Sequence, residues 1–463
     1  MQSTYDVIVL GCGGGGYAAA IRASQLGGKV AVVEAGDIGG TCVNRGCIPS
    51  KVWLRASFML NMINKSQEFG IEVSKSQINL KKIVERKNGV TTEIRIGMES
   101  LLGSYGIDLV KGYGILKNPC EIIVNENTLT SKNIILATGS SSIIPKIPGL
   151  ANAIMKTDQV FDMEAVPPSL LVWGDGGHIG VEIASLLNML GSKVYLASQS
   201  SRILSREDGE TGQRLAQALR EQGVNILTGV DLESVKQIKD SHDVKLTGKN
   251  GQTINVDKVL VTARRPGTDG IGINSIGLDL NEDKSVRVDD RLQTSVEGIY
   301  AVGDITGGWM SSHAASAMAV TAAENAMGQT GRFPSHLIPR GIWTTPQVGA
   351  VGLSEEEAEK KGFDVDTGSF PYAINALAIC YDEVEGAVKI VFDEETKAVL
   401  GVHIVGPHAT ELIGEAVMAL QLECTIDELS HTLRVHPTFS EALMDAGREA
   451  SHWALYLPKN NMR

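Results

Sequence analysis

The sequence predicts an α/β protein in which two βαβ units precede a C-terminal α+β domain. The glycine-rich segments Gly11–Gly16 and Gly174–Gly180 each follow a strand pattern and precede a helical pattern. That order begins a Rossmann-like βαβ unit with a parallel sheet. From about Pro339 the pattern changes to strand, helix and strand, and the chain closes with helical segments. With 463 residues the chain exceeds one ordinary core, so we expect two to four domains.

The elements of the first half follow from periodicity. The β-branched runs Tyr5–Leu10 and Lys29–Glu34 predict strands on either side of a helix at about Tyr17–Leu26. Apolar residues at helical spacing predict helices at about Lys51–Met62 and Leu80–Leu102. Alternation then predicts small strands and a buried strand, at about Gly106–Thr130 and Asn133–Leu136.

The second half begins after a linker marked by prolines at positions 145, 148, 167 and 168. A second βαβ unit runs from Ser169 to about Pro266, and Gly298–Asp304 is a strand that ends in a Gly-Asp turn. Three helices are predicted near the C-terminus: Leu412–Leu422, Ser440–Ala446 and Ser451–Tyr456.

The composition is typical of a soluble globular protein. Hydrophobic residues make up 43% of the chain, and a formal net charge of −12 argues against nucleic-acid binding. No apolar run approaches the roughly 18 residues of a membrane span. The first strand begins near Tyr5, which leaves no room for a signal or transit peptide, and the six cysteines are few and scattered. We therefore expect a cytoplasmic protein with no nucleic-acid or membrane partner.

The first glycine loop has the spacing of a dinucleotide fingerprint, Gly11-x-Gly13-x-x-Gly16. The first glycine makes the turn, the second lets a pyrophosphate approach, and the third packs helix on strand. Glu34 ends the second strand, 18 residues after Gly16, where a carboxylate can bind both ribose hydroxyls. Because strand, helix and acid are in register, a chance glycine cluster is the weaker interpretation.

The second glycine loop departs from this pattern. Counting back from Gly180 puts Gly177 at the second glycine position and Asp175 at the first. A one-residue insertion after Gly174 is the other alignment. In both cases a carboxylate there repels a pyrophosphate unless it points away.

The strand after the second loop also lacks the acid that NAD-specific proteins place at its end. It ends at Ser198, and Ser200, Ser201 and Arg202 follow, so a 2′-phosphate is not repelled. We therefore expect NAD or NADP to bind, with NADP tolerated or preferred. The alternative is a nucleotide domain that binds poorly or not at all.

Cys42 and Cys47 stand with four residues between them, shortly after the first βαβ unit. Thiols so placed can shuttle between dithiol and disulfide and pass two electrons to a cofactor. Five steps of a regular helix climb roughly 7.5 Å, beyond the roughly 7 Å Cα limit for bridging. The segment must therefore be distorted, and Gly46 is placed to allow it. A metal site or two unrelated buried thiols are the other interpretations.

The residues around this pair, Gly39-Gly40-Thr41 and Ile48-Pro49-Ser50-Lys51, resemble those of the disulfide flavoprotein reductases. The motif Ile-Pro-Ser-Lys points to the lipoamide dehydrogenases among them. The resemblance spans essentially the whole chain, up to the region of Glu441. It implies a redox-active Cys42–Cys47 disulfide with the flavin of an FAD against it.

The resemblance also assigns roles. Lys51 is expected near the reactive nitrogen of the flavin, paired with Glu182 of the second nucleotide motif, and Asp304 is expected to bind ribitol. The expected FAD contacts are Gly11, Gly13, Gly16, Glu34, Thr41, Lys51, Gly114, Thr138, Gly139 and Asp304. The expected nicotinamide-nucleotide contacts are Gly177, Gly180, Ser198, Arg202 and Arg264.

Near the C-terminus, His436-Pro437-Thr438-x-Ser440-Glu441 resembles the catalytic acid/base motif of the same family. Thiol chemistry needs such a group, because a thiolate must be made before it can attack. Histidine titrates near neutrality, and a carboxylate orients its ring. The family usually has a second histidine two residues earlier, where this chain has Arg434.

The implied organisation has four parts. They are an FAD-binding domain in two segments, 1–149 and 268–337, an NAD(P)-binding domain at 150–267, and an interface domain at 338–463. The resemblance further implies a homodimer in which each active site is completed by His436 of the partner subunit.

The implied activity is oxidation of dihydrolipoamide, free or on a lipoyl domain of a 2-oxoacid dehydrogenase complex, with hydride transfer to NAD(P)⁺. Cys42 would exchange with the substrate, Cys47 would contact the flavin, and His436 would take the proton. Another disulfide reductase of the family is the alternative. Glutathione reductase would favour Pro-Lys-Lys after the second cysteine, and mercuric reductase would end in vicinal cysteines. Intact Cys42, Cys47, Lys51, His436 and Glu441 argue against a third possibility, a scaffold protein without catalysis.

Overall fold

The computed structural model describes residues 4–74, 76–249 and 251–458. The chain divides into two compact units. Unit 1 comprises Met1–Pro145, Lys156–Ala165 and Ala263–Pro334. Unit 2 comprises Lys146–Met155, Val166–Thr262 and Ser335–Arg463.

The described part of the chain forms strands and helices throughout. The strands are β1 (Thr4–Leu10), β2 (Val30–Glu34), β3 (Asp108–Lys111), β4 (Gly114–Asn118), β5 (Glu121–Val124), β6 (Asn127–Leu136), β7 (Ser140–Ser142), β8 (Ile154–Lys156), β9 (Ser169–Gly174), β10 (Lys193–Ser198), β11 (Asn225–Thr228), β12 (Val230–Ile238), β13 (Ser241–Gly248), β14 (Thr253–Val256), β15 (Lys258–Val261), β16 (Arg264–Pro266), β17 (Ile299–Ala301), β18 (Arg340–Ile342), β19 (Gln347–Gly352), β20 (Val365–Pro371), β21 (Ala387–Asp393) and β22 (Val399–Gly406). The helices are α1 (Gly14–Gln25), α2 (Gly40–Asn44), α3 (Cys47–Lys65), α4 (Leu80–Ser104), α5 (Leu150–Ala153), α6 (His178–Met189), α7 (Gly209–Glu221), α8 (Ile273–Ile276), α9 (Ser312–Ala326), α10 (Glu355–Lys360), α11 (Ala376–Tyr381), α12 (Ala409–Gln421), α13 (Ile426–His431) and α14 (Glu441–Ala450).

The main sheet of unit 1 has the strand order β3-β2-β1-β6-β5-β4, and β17 also pairs with β6. Strands β1, β2, β3, β6 and β17 pair in parallel, and β4 and β5 join them in antiparallel fashion. Because parallel strands need a crossover, α1 connects β1 to β2 as the first βαβ unit predicts. The glycine loop therefore lies at the carboxyl end of β1, where open parallel sheets bind ligands.

Helices α1 and α9 pack against each other beside this sheet. Their buried positions are mainly alanines, among them Ala19 and Ala23 on α1 and Ala319 and Ala322 on α9. Small side chains let the two helices approach closely. The packing brings the start of α9, at Ser312, next to the first glycine loop, although Ser312 and Gly14 are 298 positions apart in the sequence.

Unit 2 contains a second parallel sheet and an antiparallel C-terminal sheet. The first of these sheets has the order β11-β10-β9-β15-β8, in which β9, β10, β11 and β15 pair in parallel. A three-stranded sheet, β12-β13-β14, lies between β11 and β15 in the chain. The C-terminal sheet has the order β18-β19-β22-β21-β20, and its apolar core includes residues of α12 and α14. The predicted fold class, α/β with two Rossmann-like domains and a C-terminal α+β domain, is confirmed. The four domain boundaries stay a prediction.

One predicted element is wrong. Residues 451–456, expected to be a helix, form turns and bends after α14 ends at Ala450. His452 adopts φ 62°, the left-handed conformation that commonly terminates helices. Helix α3, by contrast, is longer than predicted and begins at Cys47 itself. Across the described ranges, no helix combines the length and the apolar character that crossing a membrane requires.

Candidate active site

The first glycine loop has the backbone of a dinucleotide cradle. Gly11 adopts φ 102°, and a Cβ atom there would lie 2.5 Å from the carbonyl oxygen of Ala137. A Cβ on Gly16 would lie 1.8 Å from the carbonyl oxygen of Gly11, so α1 can approach β1 only through glycine. Gly13 is the N-cap of α1, and a Cβ atom placed on it would have its nearest neighbour, the Cα atom of Gly40, at 4.0 Å. The loop thus leaves open space at a helix N-terminus, which fits a pyrophosphate.

Glu34, at the end of β2, is held by backbone amides. Its two carboxylate oxygens accept hydrogen bonds from Cys12 N–H and Gly36 N–H, each at 2.6 Å. Each oxygen keeps a second lone pair, so the carboxylate can still receive ribose hydroxyls. The prediction that Glu34 binds a ribose therefore fits the position of the side chain.

Asp304 and Arg264 lie at the two ends of one hydrogen-bond chain in unit 1. The hydroxyl of Ser140 donates to Oδ2 of Asp304 at 2.5 Å, and Nε of Arg264 donates to that hydroxyl at 2.9 Å. Arg264 belongs to β16, which pairs with β7, and it lies in the Ala263–Pro334 segment of unit 1. The structure therefore places Arg264 beside Asp304, a residue predicted to bind FAD, and its expected contact with the nicotinamide nucleotide stays a prediction.

Three further predicted FAD residues lie in the same unit. Thr138 donates its hydroxyl hydrogen bond to the carbonyl oxygen of Gly267 at 2.7 Å. Gly139 has φ 70° and no atom within 4 Å of a Cβ placed there, so its surroundings are open. Gly114 is buried in β4, where a Cβ would lie 2.5 Å from Leu10. The glycine at 114 is thus explained by core packing, and its contact with FAD stays a prediction.

The cysteine segment is broken, as its spacing predicts. Cys42 lies in α2, which ends at Asn44, and Cys47 is the first residue of α3. Arg45 and Gly46 separate the two helices. Both cysteines are present as thiols rather than as a disulfide, and Cys47 is exposed. This arrangement corresponds to the reduced form of the predicted redox pair.

The thiol of Cys42 is activated. Its pKa is lowered to about 6, chiefly by a hydrogen bond with the thiol of Cys47, which outweighs the effect of burial. A hydrogen bond with Ser312 and the positive charge of Lys51 lower the pKa further. At neutral pH Cys42 is therefore largely the thiolate, the form that attacks disulfides.

Ser312 was not identified from the sequence. It is the first residue of α9, and a Cβ added to Gly14 would lie 2.6 Å from its hydroxyl oxygen. No local signal marks it, because the packing of α9 on α1 brings it to Cys42. Thr41, one residue before that cysteine, is half-buried in α2.

Lys51 and Glu182 lie in different compact units. Lys51 follows Cys47 by four residues on α3, so both side chains are on one face of the helix. Glu182 is half-buried on α6, and its carboxylate accepts a hydrogen bond from Trp343 N–H at 3.0 Å. Their pairing stays a prediction.

His436 and Glu441 form the predicted dyad within unit 2. Nδ1 of His436 lies 2.9 Å from Oε1 of Glu441. The other carboxylate oxygen accepts a hydrogen bond from Thr438 N–H at 2.8 Å. The His436 side chain is 68% exposed and Glu441 only 15%, so the carboxylate is fixed and the ring faces outward. This arrangement leaves Nε2 for proton transfer with an external group.

The dyad loop is anchored by residues that the sequence did not single out. Phe439 is buried, and its ring contacts those of Tyr372, Tyr381 and His408. Arg434, at the position of the usual second histidine, forms an ion pair with Glu415. Arg434 therefore stabilises the chain before the dyad. In the sequence, Phe439 could have been identified as an anchor because it is an aromatic residue between polar loop residues.

The second glycine loop matches the first at its helix cap. Gly177, the N-cap of α6, has φ −75° and ψ −175°, and Gly13 has φ −75° and ψ −171°. Helices α1 and α6 both have 12 residues. Gly177 therefore corresponds to Gly13. Trp173 takes the place of Leu10, because the carbonyl oxygen of each accepts a hydrogen bond from the residue after the neighbouring strand, Thr262 or Ala137, so Gly174 corresponds to Gly11. Of the two alignments that the sequence left open, the structure supports the one with a one-residue insertion after Gly174, and Gly180 lies on α6 at the third glycine position.

Ser198 and Arg202 are already engaged in the structure. Ser198 is fully buried, and its hydroxyl accepts a hydrogen bond from Ser200 N–H at 3.1 Å. Arg202 pairs with Glu356 at 3.2 Å and donates to the carbonyl oxygens of Ser205 and Glu207. A 2′-phosphate contact requires Arg202 to exchange partners, so the expected NADP preference stays a prediction.

Comparison with known proteins agrees with this site. Residues 5–319 match the family model described as pyridine nucleotide-disulphide oxidoreductase, and residues 338–446 match the dimerisation domain of the same family. The chain is 37% identical to a dihydrolipoyl dehydrogenase of Thermus scotoductus, over 98% of this chain and 99% of the relative. It is 35% identical to a mercuric reductase of Bacillus cereus, over 95% of this chain and 70% of the relative.

A solved structure supports the same conclusion. The Cu(II) complex of the HOCl-induced flavoprotein disulfide reductase RclA from Escherichia coli is 26% identical, with a TM-score of 0.85, covering 96% of this chain and 99% of the other. Members of this family use FAD and a nicotinamide nucleotide as cofactors. The chain therefore belongs to the pyridine nucleotide-disulphide oxidoreductase family, and it is an FAD-dependent oxidoreductase that acts on sulfur groups.

Proposed function

We propose that the protein is a dihydrolipoyl dehydrogenase, which oxidises dihydrolipoamide and passes the electrons to a nicotinamide nucleotide. The observation that carries this proposal is that one chain contains both an activated Cys42 thiol and an outward-facing His436–Glu441 dyad. The chain also has dihydrolipoyl dehydrogenase relatives. A dithiol substrate needs both a sulfur partner and a proton acceptor.

In the oxidised enzyme Cys42 and Cys47 form a disulfide. His436 of the partner subunit removes a proton from one thiol of the substrate, and the resulting thiolate attacks Sγ of Cys42. The Cys42–Cys47 bond breaks, a mixed disulfide forms with Cys42, and Cys47 leaves as a thiolate. The second substrate thiol, once deprotonated, attacks the substrate sulfur in the mixed disulfide. Lipoamide leaves as a cyclic disulfide, and the protein retains two reduced cysteines, so electrons and atoms balance.

A bound FAD would supply the two-electron carrier between the thiol pair and the nicotinamide. The residues of this chain that would hold FAD are the first glycine loop, Glu34 and Asp304. Their open glycine cradle and backbone-held carboxylate suit a dinucleotide. Lys51 contributes positive charge beside the thiol pair, which favours the thiolate form of Cys42.

The active enzyme is proposed to be a homodimer. The dimerisation-domain match at residues 338–446 supports this, and so does the exposure of apolar residues next to the dyad. Leu433 is 92% exposed and Val435 is 76% exposed. A partner subunit would cover these side chains and bring His436 to the partner's thiols. The lipoyl domain of a 2-oxoacid dehydrogenase complex is the proposed macromolecular substrate.

The test compares steady-state rates on purified, FAD-loaded enzyme. Dihydrolipoamide with NAD⁺ or NADP⁺ is expected to give the highest kcat/KM. Glutathione disulfide and Hg(II), each with NADH or NADPH, are the competing substrates. A kcat/KM for either competitor above that for dihydrolipoamide would overturn the proposal.

The second candidate is reduction of another disulfide, or of a thiol-bound metal, by the same thiol pair. The observation in its favour is the similarity to a mercuric reductase and to RclA. The same substrate comparison distinguishes the two candidates.

A further inference from the structure

The carboxylate of Asp175 fills the space that the second glycine loop would offer a pyrophosphate. Its Oδ1 accepts a hydrogen bond from Gly177 N–H at 2.9 Å. A Cβ atom added to Gly177 would lie 3.1 Å from both carboxylate oxygens. In the first loop, the equivalent Gly13 has no atom nearer than 4.0 Å at that position. The second glycine of a fingerprint is the one that lets a pyrophosphate approach, so the two loops differ at the position where the pyrophosphate would bind.

The rest of the second loop is adapted to this arrangement. Asp175 has no counterpart in the first loop, and the left-handed turn of the second loop lies at Gly176, with φ 72°. A Cβ on Gly176 would lie 2.6 Å from the buried hydroxyl of Ser198. The turn is therefore packed onto Ser198, and the direction of the Asp175 side chain follows from the backbone.

The charge of Asp175 is not neutralised by a cation. In the described ranges of the chain, Asp175 forms no salt bridge, and its carboxylate accepts a hydrogen bond from Gly177 N–H. The side chain is exposed to solvent. An entering pyrophosphate would therefore meet a full negative charge and an amide that already has an acceptor. Both effects oppose binding at the N-terminus of α6.

We propose that Asp175 is an internal anion that competes with the pyrophosphate of nicotinamide nucleotides and sets a low affinity for them. The nucleotide binds only when the carboxylate leaves Gly177 N–H. Hydride transfer at low nucleotide concentration is then limited by binding rather than by thiol chemistry. This inference concerns the nucleotide site alone and does not depend on which thiol substrate the enzyme uses.

The test is equilibrium binding to the FAD-loaded enzyme by isothermal titration calorimetry, which does not require turnover. Asp175→Gly removes both the charge and the competing acceptor. Asp175→Asn removes the charge but keeps an amide oxygen that can accept from Gly177 N–H. Because like charges a few ångströms apart repel more strongly at a protein surface than in water, we expect Asp175→Gly to bind NADH about ten- to a hundredfold more tightly. Asp175→Asn is expected to show a smaller gain.

The probes separate the pyrophosphate from the rest of the nucleotide. ADP, which carries a pyrophosphate, should gain affinity in Asp175→Gly, and adenosine should not. Asp240→Asn is the matched control, because this exposed residue lies in the turn between β12 and β13 and its replacement changes net charge equally. NADH affinity in this control should equal that of the wild type.

Three results would overturn the proposal. They are an unchanged NADH affinity in Asp175→Gly, an equal gain for adenosine and ADP, or an equal gain in Asp240→Asn. A gain in Asp175→Gly with none in Asp175→Asn would refute the charge as a cause. Because Asp175→Asn preserves the loop hydrogen bond, it gives a result even where Asp175→Gly does not fold.

Discussion

A Cβ atom on Gly40 would lie 2.9 Å from the Cα atom of Gly13, so the redox segment rests directly on the first glycine loop. Gly39 N–H donates to the carbonyl oxygen of Cys12 at 2.8 Å, which joins the same two segments. Backbone contact, rather than side-chain contact, therefore positions the thiol pair next to the dinucleotide cradle. Catalysis needs this proximity, because the two electrons must pass between sulfur and cofactor.

Replacing Gly40 with alanine should lower both stability and FAD content. Gly40 has φ 57°, and the added methyl group would press on the backbone of Gly13. We expect a loss of about 1–3 kcal/mol in the free energy of unfolding, the usual range for strain of this kind. The measurements are thermal or denaturant unfolding and the ratio of flavin to protein absorbance.

Gly97→Ala provides the control for this change. Gly97 is exposed in the middle of α4, with no atom within 4 Å of a Cβ placed there. Alanine is favoured over glycine in a helix by about 1 kcal/mol, so this variant should gain stability. Equal effects of the two substitutions would contradict the proposed role of Gly40.

Cys42 should react as a thiolate with a midpoint near pH 6, the value to which its pKa is lowered. Below this pH the thiol is protonated and unreactive, and above it the rate of alkylation should reach a plateau. Ser312→Ala removes a hydrogen bond that lowers the pKa, so the midpoint should rise. Iodoacetamide labelling of the reduced enzyme, followed at the Cys42 peptide by mass spectrometry, measures the midpoint.

Ser316→Ala is the control, because Ser316 lies one turn further along α9 and donates to the carbonyl oxygen of Gly14. The pH midpoint of Cys42 alkylation in Ser316→Ala should match that of the wild type. A Ser312→Ala profile that overlays the wild-type profile would show that Ser312 does not tune Cys42.

His436→Gln should lower dihydrolipoamide turnover by about two to four orders of magnitude, as expected for loss of a general acid/base. Reduction of the flavin by NADH should keep its rate, since that half-reaction needs no proton from a thiol. Stopped-flow measurement gives the rate of each half-reaction separately, the oxidation of dihydrolipoamide and the reduction of the flavin by NADH. Glutamine keeps the size of the side chain but cannot titrate.

His431→Gln serves as the comparison, because His431 is exposed and its ring lies against Trp453 rather than near the dyad. It should leave both half-reactions within a few-fold of the wild type. Parallel losses in both half-reactions of His436→Gln would identify a structural role instead.

Glu356→Gln should strengthen NADP⁺ binding relative to NAD⁺. The change removes the carboxylate that pairs with Arg202 at 3.2 Å and frees the guanidinium for a 2′-phosphate. An exposed ion pair contributes about 0.2–1 kcal/mol, so the gain should be at most about fivefold. Kd values for both nucleotides measure it, with Glu359→Gln on the same helix as control. An equal change for NAD⁺ and NADP⁺ would rule out Arg202 as the phosphate ligand.

The sequence alone determined the fold class, the first dinucleotide loop, the cysteine pair and the His436–Glu441 dyad. Each depends on residues that are close in the chain, where helical and strand periodicity and fixed spacing act directly. The break between α2 and α3 also followed from the spacing of Cys42 and Cys47. The helix predicted at 451–456 was wrong, because periodicity does not reveal the left-handed turn at His452.

Contacts between distant segments determined the features of the site that the sequence did not reveal. Ser312 reaches Cys42 because α9 packs on α1, and Arg264 joins Asp304 because β16 pairs with β7. The sequence places Asp175 in the second glycine loop, but only the folded backbone directs its carboxylate to Gly177 N–H. Local patterns specify which elements form, whereas packing between them specifies where each polar group points and what it can bind.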